Sequence, residues 1–464
     1  MTIEQTSLDP QLLRVAEAVS RAGGRALLVG GYVRDRLLGV DSKDYDFEVY
    51  GLPLAELEEI LARFGEVIRI GRAFGVLRVK GLDVDFSLPR RDSKTGRGHR
   101  GFVVELDPGL TFEDAARRRD LTINSIGMDP LSGEILDPHG GRRDLESRRL
   151  RPTDAAHFSE DPLRGLRVAQ FAARFEMEVT TELRDLCVSL DLSELPGERL
   201  FEEFRKLLLK GSKPSLGLAF LEDSKLLRFF PELQATVGVE QDPEWHPEGT
   251  VWEHTLMVVD QAAAARVGED DAELVIMLGA LCHDLGKPMV TVEEDGRIRS
   301  PRHEEEGVPP TERFLERMRA PKNLVSRVSA LVRFHLMPAH LYGSGAKPKA
   351  YRRLARKLQD AGVDVETLYR VARADHFGRT TADALARQFP AGDELLDKMK
   401  ELHAEESVVQ DVVMGRHLVA RGLQPGPLFG EILAKCRELQ DETGGDDPQR
   451  ILDAVLSGIY PPDP

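Results

Sequence analysis

The run "LLVGGYVRDRLLGVDSKDYDFEVYG", Leu27 to Gly51, decides how the first part of the chain folds. An apolar stretch leads into Gly30 and Gly31, and "YVRDRLLG" then reads as a helix that Gly39 stops, so the order is strand, glycine turn, helix. Such a turn aims backbone N–H groups at one point, which suits an anionic phosphate, and Arg34, one turn into the helix, can add a charge-assisted contact. "KDYDFEVYG" follows as a second strand over Tyr45–Val49. Side chains two apart on a strand point the same way, so Asp44 and Asp46 share one face while Tyr45, Phe47 and Val49 take the other. Two carboxylates so placed repel unless a proton or a cation lies between them.

Outward from this run, Gln11–Gly23 reads as an amphipathic helix, and "LAELEEILARFG" as another. Further strands are expected at 66–70, 76–79, 83–88 and 102–105. From Asp114 onward the pattern is helical except for a hairpin and loop at "GEILDPHGGRRDL". The expected architecture is α+β, a small mixed-sheet head followed by all-helical regions. Breaks near "LPGER", "GVEQDPEWHPEG", "GSGAKP" and "QFPAGDE" divide it. The reading gives a head over 1–150, a helical neck over 151–237, a third domain over 238–380 and a helical C-terminal region over 381–464.

The 464 residues carry a net charge of −16, with 41% hydrophobic and 31% charged residues. That charge argues against indiscriminate nucleic-acid binding but permits a local basic groove. No apolar run reaches the about 18 residues of a membrane helix, and the polar, acidic N-terminus does not read as a signal peptide. Cys187, Cys282 and Cys436 lie far apart, which suits a reducing cytoplasm and excludes a cysteine-based zinc site.

A further strand, "GLDVDFSL", brings Asp83 and Asp85 toward the Asp44/Asp46 pair. Hard oxygen ligands clustered on neighbouring strands suit Mg²⁺, which takes a few carboxylates together with substrate phosphates and water. A lone Asp-x-Asp is more often a solvated strand face; the apolar opposite face and the turn upstream favour a metal set for displacement at phosphorus.

The same residues resemble the head of the class II tRNA nucleotidyltransferases, the CCA-adding enzymes and their bacterial poly(A) polymerase relatives. "GGYVRDRLLG" with "KDYDFEVYG" matches the head motif, and "ARRRDLTINSIGMD" matches an RRDxxxN motif at Arg118, Arg119, Asp120 and Asn124. "LDPHGGRRDL" resembles the connection between head and neck, "SEDPLRGLRVAQFAARF" an EDxxR nucleotide-selecting motif, and "GERLFEEFRKLL" the ER motif after it. The resemblance implies Asp44, Asp46 and Asp85 as catalytic carboxylates, with Asp83 in reserve. It also implies nucleotide contacts from Gly30, Gly31, Arg34, Arg119, Asp120, Asn124, Asp161, Arg164 and Arg167. By its period "EDPLRGLR" is helical, which puts Glu160, Asp161, Arg164 and Arg167 on adjacent turns. An aspartate accepts from an exocyclic amine and an arginine donates to ring acceptors, so Asp161 with Arg164 can read cytosine or adenine. The plainer reading of that pair is an i,i+3 salt bridge. Gln170 stands where the family usually has arginine. The loop "RRDSKTGRGHRG", Arg90 to Gly101, has the composition of the mobile element with which the resembling enzymes switch from C to A addition. Arg142, Arg143, Arg148, Arg149 and Arg151 form either an RNA-backbone contact or a solvated face.

In the second half, "VWEHTL", "ALCHDLGK", "RHEEEG", "VRFHLMP" and "ARADHFGR" supply His254, His283, Asp284, His303, His335 and Asp375. Imidazole with carboxylate favours a transition metal over Mg²⁺. This order resembles the HD phosphohydrolase domain carried by one bacterial branch of CCA-adding enzymes. That likeness implies His254, His283, Asp284 and Asp375 as ligands of Ni²⁺, Mn²⁺ or Zn²⁺. His303, His335 and Lys287 would be auxiliary, as further ligands or phosphate contacts. The expected activity is addition of C and A to the 3′ end of tRNA from CTP and ATP, with phosphohydrolysis of a 2′,3′-cyclic phosphate or 2′-nucleotide at the HD centre. Addition of only A or only CC, and poly(A) synthesis, are the alternatives. The expected partners are tRNA, CTP and ATP without membrane, as a monomer or homodimer in the cytoplasm.

Overall fold

The computed structural model describes residues 8–42, 44–70, 75–82, 84–94, 102–402 and 411–459. Asp83, Lys43 and the 95–101 part of the expected mobile loop lie outside the described residues. The chain divides into two compact units, Met1–Phe229 and Phe230–Pro464.

In the first unit, β1 (Arg25–Val29) and β2 (Tyr45–Tyr50) run antiparallel at the heart of a seven-stranded mixed sheet. Its other strands are β3 (Val67–Ile70), β4 (Val76–Val79), β5 (Val84–Ser87) and the short pair β8 (Gly127–Met128) and β9 (Ile135–Leu136). The order across the sheet is β3-β4-β5-β2-β1-β8-β9. A separate hairpin pairs β6 (Arg90–Lys94) with β7 (Phe102–Leu106), so the first five residues of the expected loop are strand. β2 lies parallel to β5, and its register sets Asp46 against Asp85 and Phe47 against Phe86. The two phenylalanines are fully enclosed and their rings stack at 5.3 Å between centroids.

Helix α1 (Pro10–Arg21) starts on Pro10 with Asp9 accepting from the Gln11 N–H, and buries Leu12, Val15, Ala16 and Val19 against the sheet unit. α2 (Gly31–Leu37) springs from the glycine turn, and α3 (Leu54–Leu61) and α4 (Phe112–Arg117) complete the head. The "GGRRDL" segment, expected as loop, is helix α5 (Gly141–Glu146). Asp137 accounts for this by accepting from the Gly141 and Arg142 N–H groups at the helix start. The neck is built on α6 (Arg164–Phe175), whose inner face packs on helices Gly197–Lys210 and Pro214–Asp223.

The second unit is nearly all helix, and helices Val251–Ala264, Asp271–Cys282, Lys322–Phe334 and Val365–Gly378 form its centre. Asp271–Cys282 is apolar all round and buried from Glu273 to its end, as a helix in the middle of a core must be. A smaller core toward the C-terminus gathers Leu418, Ile432, Cys436, Ile451 and Leu452. There Arg356 grips Asp441 with both terminal nitrogens, one at 2.9 Å, in a buried bidentate pair. Among the described residues no helix is long and apolar enough to cross a membrane.

Because Phe86 anchors β5 beside β2, Phe86→Ala is expected to cost about 3–5 kcal/mol in urea unfolding followed by circular dichroism. A loss under about 1 kcal/mol would mean that the stacked pair does not hold the register.

Candidate functional sites

The glycine turn is obligatory at Gly30. Its φ of 70° is left-handed, and a Cβ there would stand 3.2 Å from Arg119 Nη1 and 4.0 Å from Asp46 Oδ2. The turn therefore borders both a cation and a carboxylate. Asp46 lies on β2 in register with Asp85 of β5, and Asp44 sits exposed one residue before the strand begins. Burial raises Asp46 to about 6, and the neighbouring charges of Asp44 and Asp85 add to the rise. Arg119 and Arg78 oppose it, Arg78 Nε lying 2.6 Å from Asp85 Oδ1. A carboxylate so disfavoured as an anion, amid two more, has the chemistry of a divalent-cation site.

Two residues along the same strand, Glu48 is fully buried and binds both arginines of the RRD motif, Arg118 at 2.8 Å and Arg119 at 3.3 Å. Tyr50 Oη donates to it at 2.7 Å. Burial alone would raise this carboxyl; Arg119 and Arg118 overcome it and hold the group at about 2. Sequence reasoning missed Glu48, although its i+2 spacing from Asp46 was a signal that it belonged to the same polar face.

Asp120 and Asn124 stand at the 3₁₀ turn Thr122–Asn124 and tie it to α6. Asp120 accepts from Arg167 Nε at 2.6 Å, from Asn124 Nδ2 at 2.9 Å and from the Leu121 N–H at 2.8 Å. Burial opposes ionisation here too, but Arg167 and these hydrogen bonds keep the carboxyl at about 2. Asn124 Oδ1 in turn accepts from Arg34 at 2.6 Å. Arg34 is buried, pairs with Asp35, and stands 5.1 and 4.8 Å from the Phe171 and Phe175 ring centroids of α6. Asp35 also binds Arg174 at 3.1 Å. The expected phosphate contact is therefore a guanidinium occupied inside the protein, locking the glycine-turn helix to the neck.

The helical reading of "EDPLRGLR" needs correction. Glu160 ends a short 3₁₀ turn, Asp161 is extended at φ −114° and ψ 103°, and α6 begins only at Arg164. Pro162 favours this, because the residue before a proline is pushed out of the helical region. Asp161 accordingly caps the Leu163 N–H and lies 3.3 Å from Arg199 of the ER motif, and no Asp161–Arg164 bridge forms. Arg164 donates to the backbone carbonyls of Arg118 at 2.6 Å and His157 at 2.9 Å. Gln170 is buried on α6. Of the basic cluster, Arg151 is tied to Asp144 and Arg148 to the Phe175 carbonyl, while Arg142 and Arg143 are exposed.

In the second unit the structure gathers every expected metal residue into one buried cluster. His254 Nε2 lies 3.1 Å from Asp375 Oδ1, His283 Nε2 3.2 Å from Asp284 Oδ2 and His303 Nε2 3.3 Å from Asp284 Oδ1. Ring centroids of His283 and His335 are 5.4 Å apart, as are those of His303 and His335. Lys287 Nζ reaches Asp284 at 2.7 Å and Gln241 at 2.6 Å. Nδ1 of His283, His303 and His335 each meets a backbone carbonyl three residues earlier, at 2.8, 2.8 and 2.7 Å. With Nδ1 donating, Nε2 keeps its lone pair and faces the cluster. Burial drives His335 down to about 3, so its ring is neutral, as a metal ligand must be. Buried Nε2 of His283 and His335 and both Asp284 oxygens have no aligned hydrogen bond. Lone pairs converging in this way, those of His283 and His335 Nε2 without a hydrogen bond, fit a bound cation. His254, His283 and Asp284, and Asp284, His303 and His335, are close enough for each set to share an ion. Gly286 makes the gathering possible, since a Cβ there would fall 2.0 Å from the His303 carbonyl. His246 and Glu248, which the sequence reading passed over within "HPEG", join His254 in a third such group.

Comparison with known proteins finds relatives of both halves of the chain. Residues 26–151 match a poly A polymerase head domain and 251–378 an HD domain. Residues 176–236 match a model described as "Probable RNA and SrmB- binding site of polymerase A". The multifunctional CCA protein of Xanthomonas campestris pv. campestris is 36% identical over 88% of this chain and 96% of its own length. The protein of the same name from Stenotrophomonas maltophilia is 37% identical over 88% and 97%. The fold resembles the Bacillus stearothermophilus CCA-adding enzyme in complex with CTP, at a TM-score of 0.65 and 22% identity over 97% of this chain and 98% of that one. It also resembles the Thermotoga maritima CCA-adding enzyme complexed with tRNA, at 0.57 and 18% over 98% and 97%. With a nucleotidyltransferase head of the poly(A) polymerase type and an HD domain on one chain, this protein belongs to the family of the multifunctional CCA proteins.

Proposed function

We propose that this chain rebuilds the 3′ end of tRNA by adding C and A from CTP and ATP, and that its HD domain hydrolyses phosphoesters. The observation that carries the first half is the register of Asp46 with Asp85 beside the Gly30 turn and Arg119. Asp44, Asp46 and Asp85 would hold Mg²⁺, which when bound supplies Lewis-acid activation of the attacking 3′-hydroxyl and charge neutralisation on the leaving pyrophosphate. Arg119, whose Nη1 borders the Gly30 turn, would face the triphosphate. Glu48 keeps that guanidinium in place. Asp161 and Arg164 read the base edge, as a turn followed by a helix start, and Arg199 and the Arg118 carbonyl hold them. The division into head 1–150, neck 151–237, HD domain 238–380 and C-terminal region 381–464 is part of the same reading.

In the HD domain, His254, His283, Asp284 and Asp375 would hold Ni²⁺, Mn²⁺ or Zn²⁺, which when bound supplies a hydroxide nucleophile near neutral pH. Lys287 would hold the scissile phosphate, and His303 and His335 would serve as auxiliary ligands or phosphate contacts. A 2′,3′-cyclic phosphate or 2′-nucleotide suits such a centre. Three isolated, buried thiols accord with a cytoplasmic protein.

The deciding experiment offers tRNA ending at the discriminator base, at C and at CC, each with CTP, ATP or both, and sizes the products. Extension of all three to CCA is expected; arrest after CC, or growth of a long A tail, would replace this reading by one of its relatives. Asp44→Ala with Asp46→Ala is expected to lower incorporation at least about 10³-fold, since loss of both removes the metal set, while phosphohydrolysis persists. Retained incorporation would overturn the ligand assignment. Conversely, Asp284→Ala is expected to abolish hydrolysis of 2′,3′-cyclic AMP and leave CCA addition intact. Chelation followed by re-addition of Ni²⁺, Mn²⁺ or Zn²⁺ to the hydrolase assay identifies the ion, and activity that survives chelation would exclude a metal centre.

A further inference from the structure

Glu248 is a buried carboxylate that neither reaction uses directly. It lies in the connection ahead of helix Val251–Ala264, and its side chain is 1% exposed. Its Oε1 stands 2.9 Å from His246 Nδ1 and 2.7 Å from His254 Nδ1. Its Oε2 accepts from the Thr380 N–H at 3.0 Å and lies 3.4 Å from the Thr380 hydroxyl. Burying a carboxylate this deeply is costly unless its partners need it.

His254 is the one member of the histidine set whose Nδ1 does not meet a backbone carbonyl. In His283, His303 and His335 the carbonyl three residues earlier occupies that nitrogen and leaves Nε2 for the cluster. In His254 the same place is taken by Glu248, while Nε2 is hydrogen-bonded to Asp375 Oδ1 at 3.1 Å, a contact that an ion held between the two would replace. The approach to Nδ1 is close but off axis, so Glu248 sets a negative charge beside that nitrogen rather than a linear hydrogen bond. A carboxylate on the far nitrogen fixes the tautomer and makes the near nitrogen a better donor to a metal than a neutral carbonyl does. The Thr380 contacts carry the constraint further, because Thr380 follows helix Val365–Gly378, which bears Asp375. One side chain thus touches the elements of two metal ligands drawn from 121 positions apart.

We propose that Glu248 is a positioning residue for the HD centre: it commits His254 to the tautomer whose Nε2 binds a divalent transition metal, and holds the Asp375 helix end in register with it. This inference rests on the reading that His254, His283, Asp284 and Asp375 hold the ion. It also assigns the third acidic-imidazole group: His246 is a second donor to Glu248, edge-on to His254 at 4.6 Å between ring centroids, and not a ligand of a separate ion.

The test is calorimetric titration of the full-length, metal-stripped protein with Co²⁺, together with the visible spectrum of bound Co²⁺. An Asp46→Ala background keeps the head carboxylates from contributing. Glu248→Gln is expected to weaken Co²⁺ binding about 10–100-fold and to alter the Co²⁺ spectrum, without lowering the melting temperature of the stripped protein by more than a few degrees. Glu248→Asp, which keeps the charge on a shorter stem, is expected to fall between Gln and the parent and serves should Gln not fold. Parent-like affinity and spectrum in both variants overturn the inference, as does an affinity loss that only tracks loss of folded protein. If the parent binds no Co²⁺, or His254→Ala binds it as tightly as the parent, the metal reading itself fails. If His254→Ala loses the ion while both Glu248 variants keep it, only the role of Glu248 falls.

Discussion

The head depends on one buried carboxylate. Glu48, with no exposed surface, neutralises Arg118 and Arg119 from the middle of β2, and through them fixes the motif that joins the sheet to the neck. Removing one member of such a group leaves a buried charge uncompensated, a penalty of about 3–5 kcal/mol, so the three are bound to stand or fall together. Arg119 links this set to the Gly30 turn and Asp46. Asn124, through Arg34 and Asp120, links it to α6. Glycine turn, carboxylate strand and α6 are therefore parts of one polar network that runs through the interior of the first unit.

The HD centre follows a different plan. Its histidines come from separate helices, and most are aimed by their own backbone, each Nδ1 spending its proton on a carbonyl one turn back. For His283 and His335 this is a cheap device, because the carbonyls of Ala280 and Val332 belong to the last turn of their helices and lack partners otherwise. His254 sits within the body of its helix, where the carbonyls are already engaged, and a carboxylate from outside the helix takes over.

Much of this was legible in the sequence because it was local. The strand–turn–helix at Leu27–Gly39 and the alternation in "DYDFEVY" follow from period and from the chemistry of the side chains, whereas the choice of Asp85 over Asp83 beside Asp46 comes from the family resemblance alone. The histidines could be gathered because imidazole and aspartate at several helix positions have few other uses. What stayed hidden was long-range. Arg34 looks like a phosphate ligand until Phe171 and Phe175 arrive from about 140 residues away to enclose it. The apolar period of α6 runs on through Asp161 and reads as helix, whereas Pro162 pushes that residue out of the helical region. Glu48 and Glu248 were overlooked for a shared reason: a single glutamate has a strong prior of exposure, and only the tertiary structure reveals the cations and imidazoles that keep it inside.

The parallel pairing of β2 with β5 has a thermodynamic side. Asp46 and Asp85 are far apart along the chain, and α3, β3 and β4 intervene, so their mutual repulsion exists only once the ladder has closed. The unfolded chain offers no counterpart of that paired site. Any divalent cation held there binds the folded head alone, and by mass action raises its stability by RT ln(1 + [M]/Kd), about 2.7 kcal/mol at a hundredfold excess over Kd. An ion that served the chemistry there would thereby also be a ligand of the fold, and the melting point would gauge how fully these carboxylates are occupied.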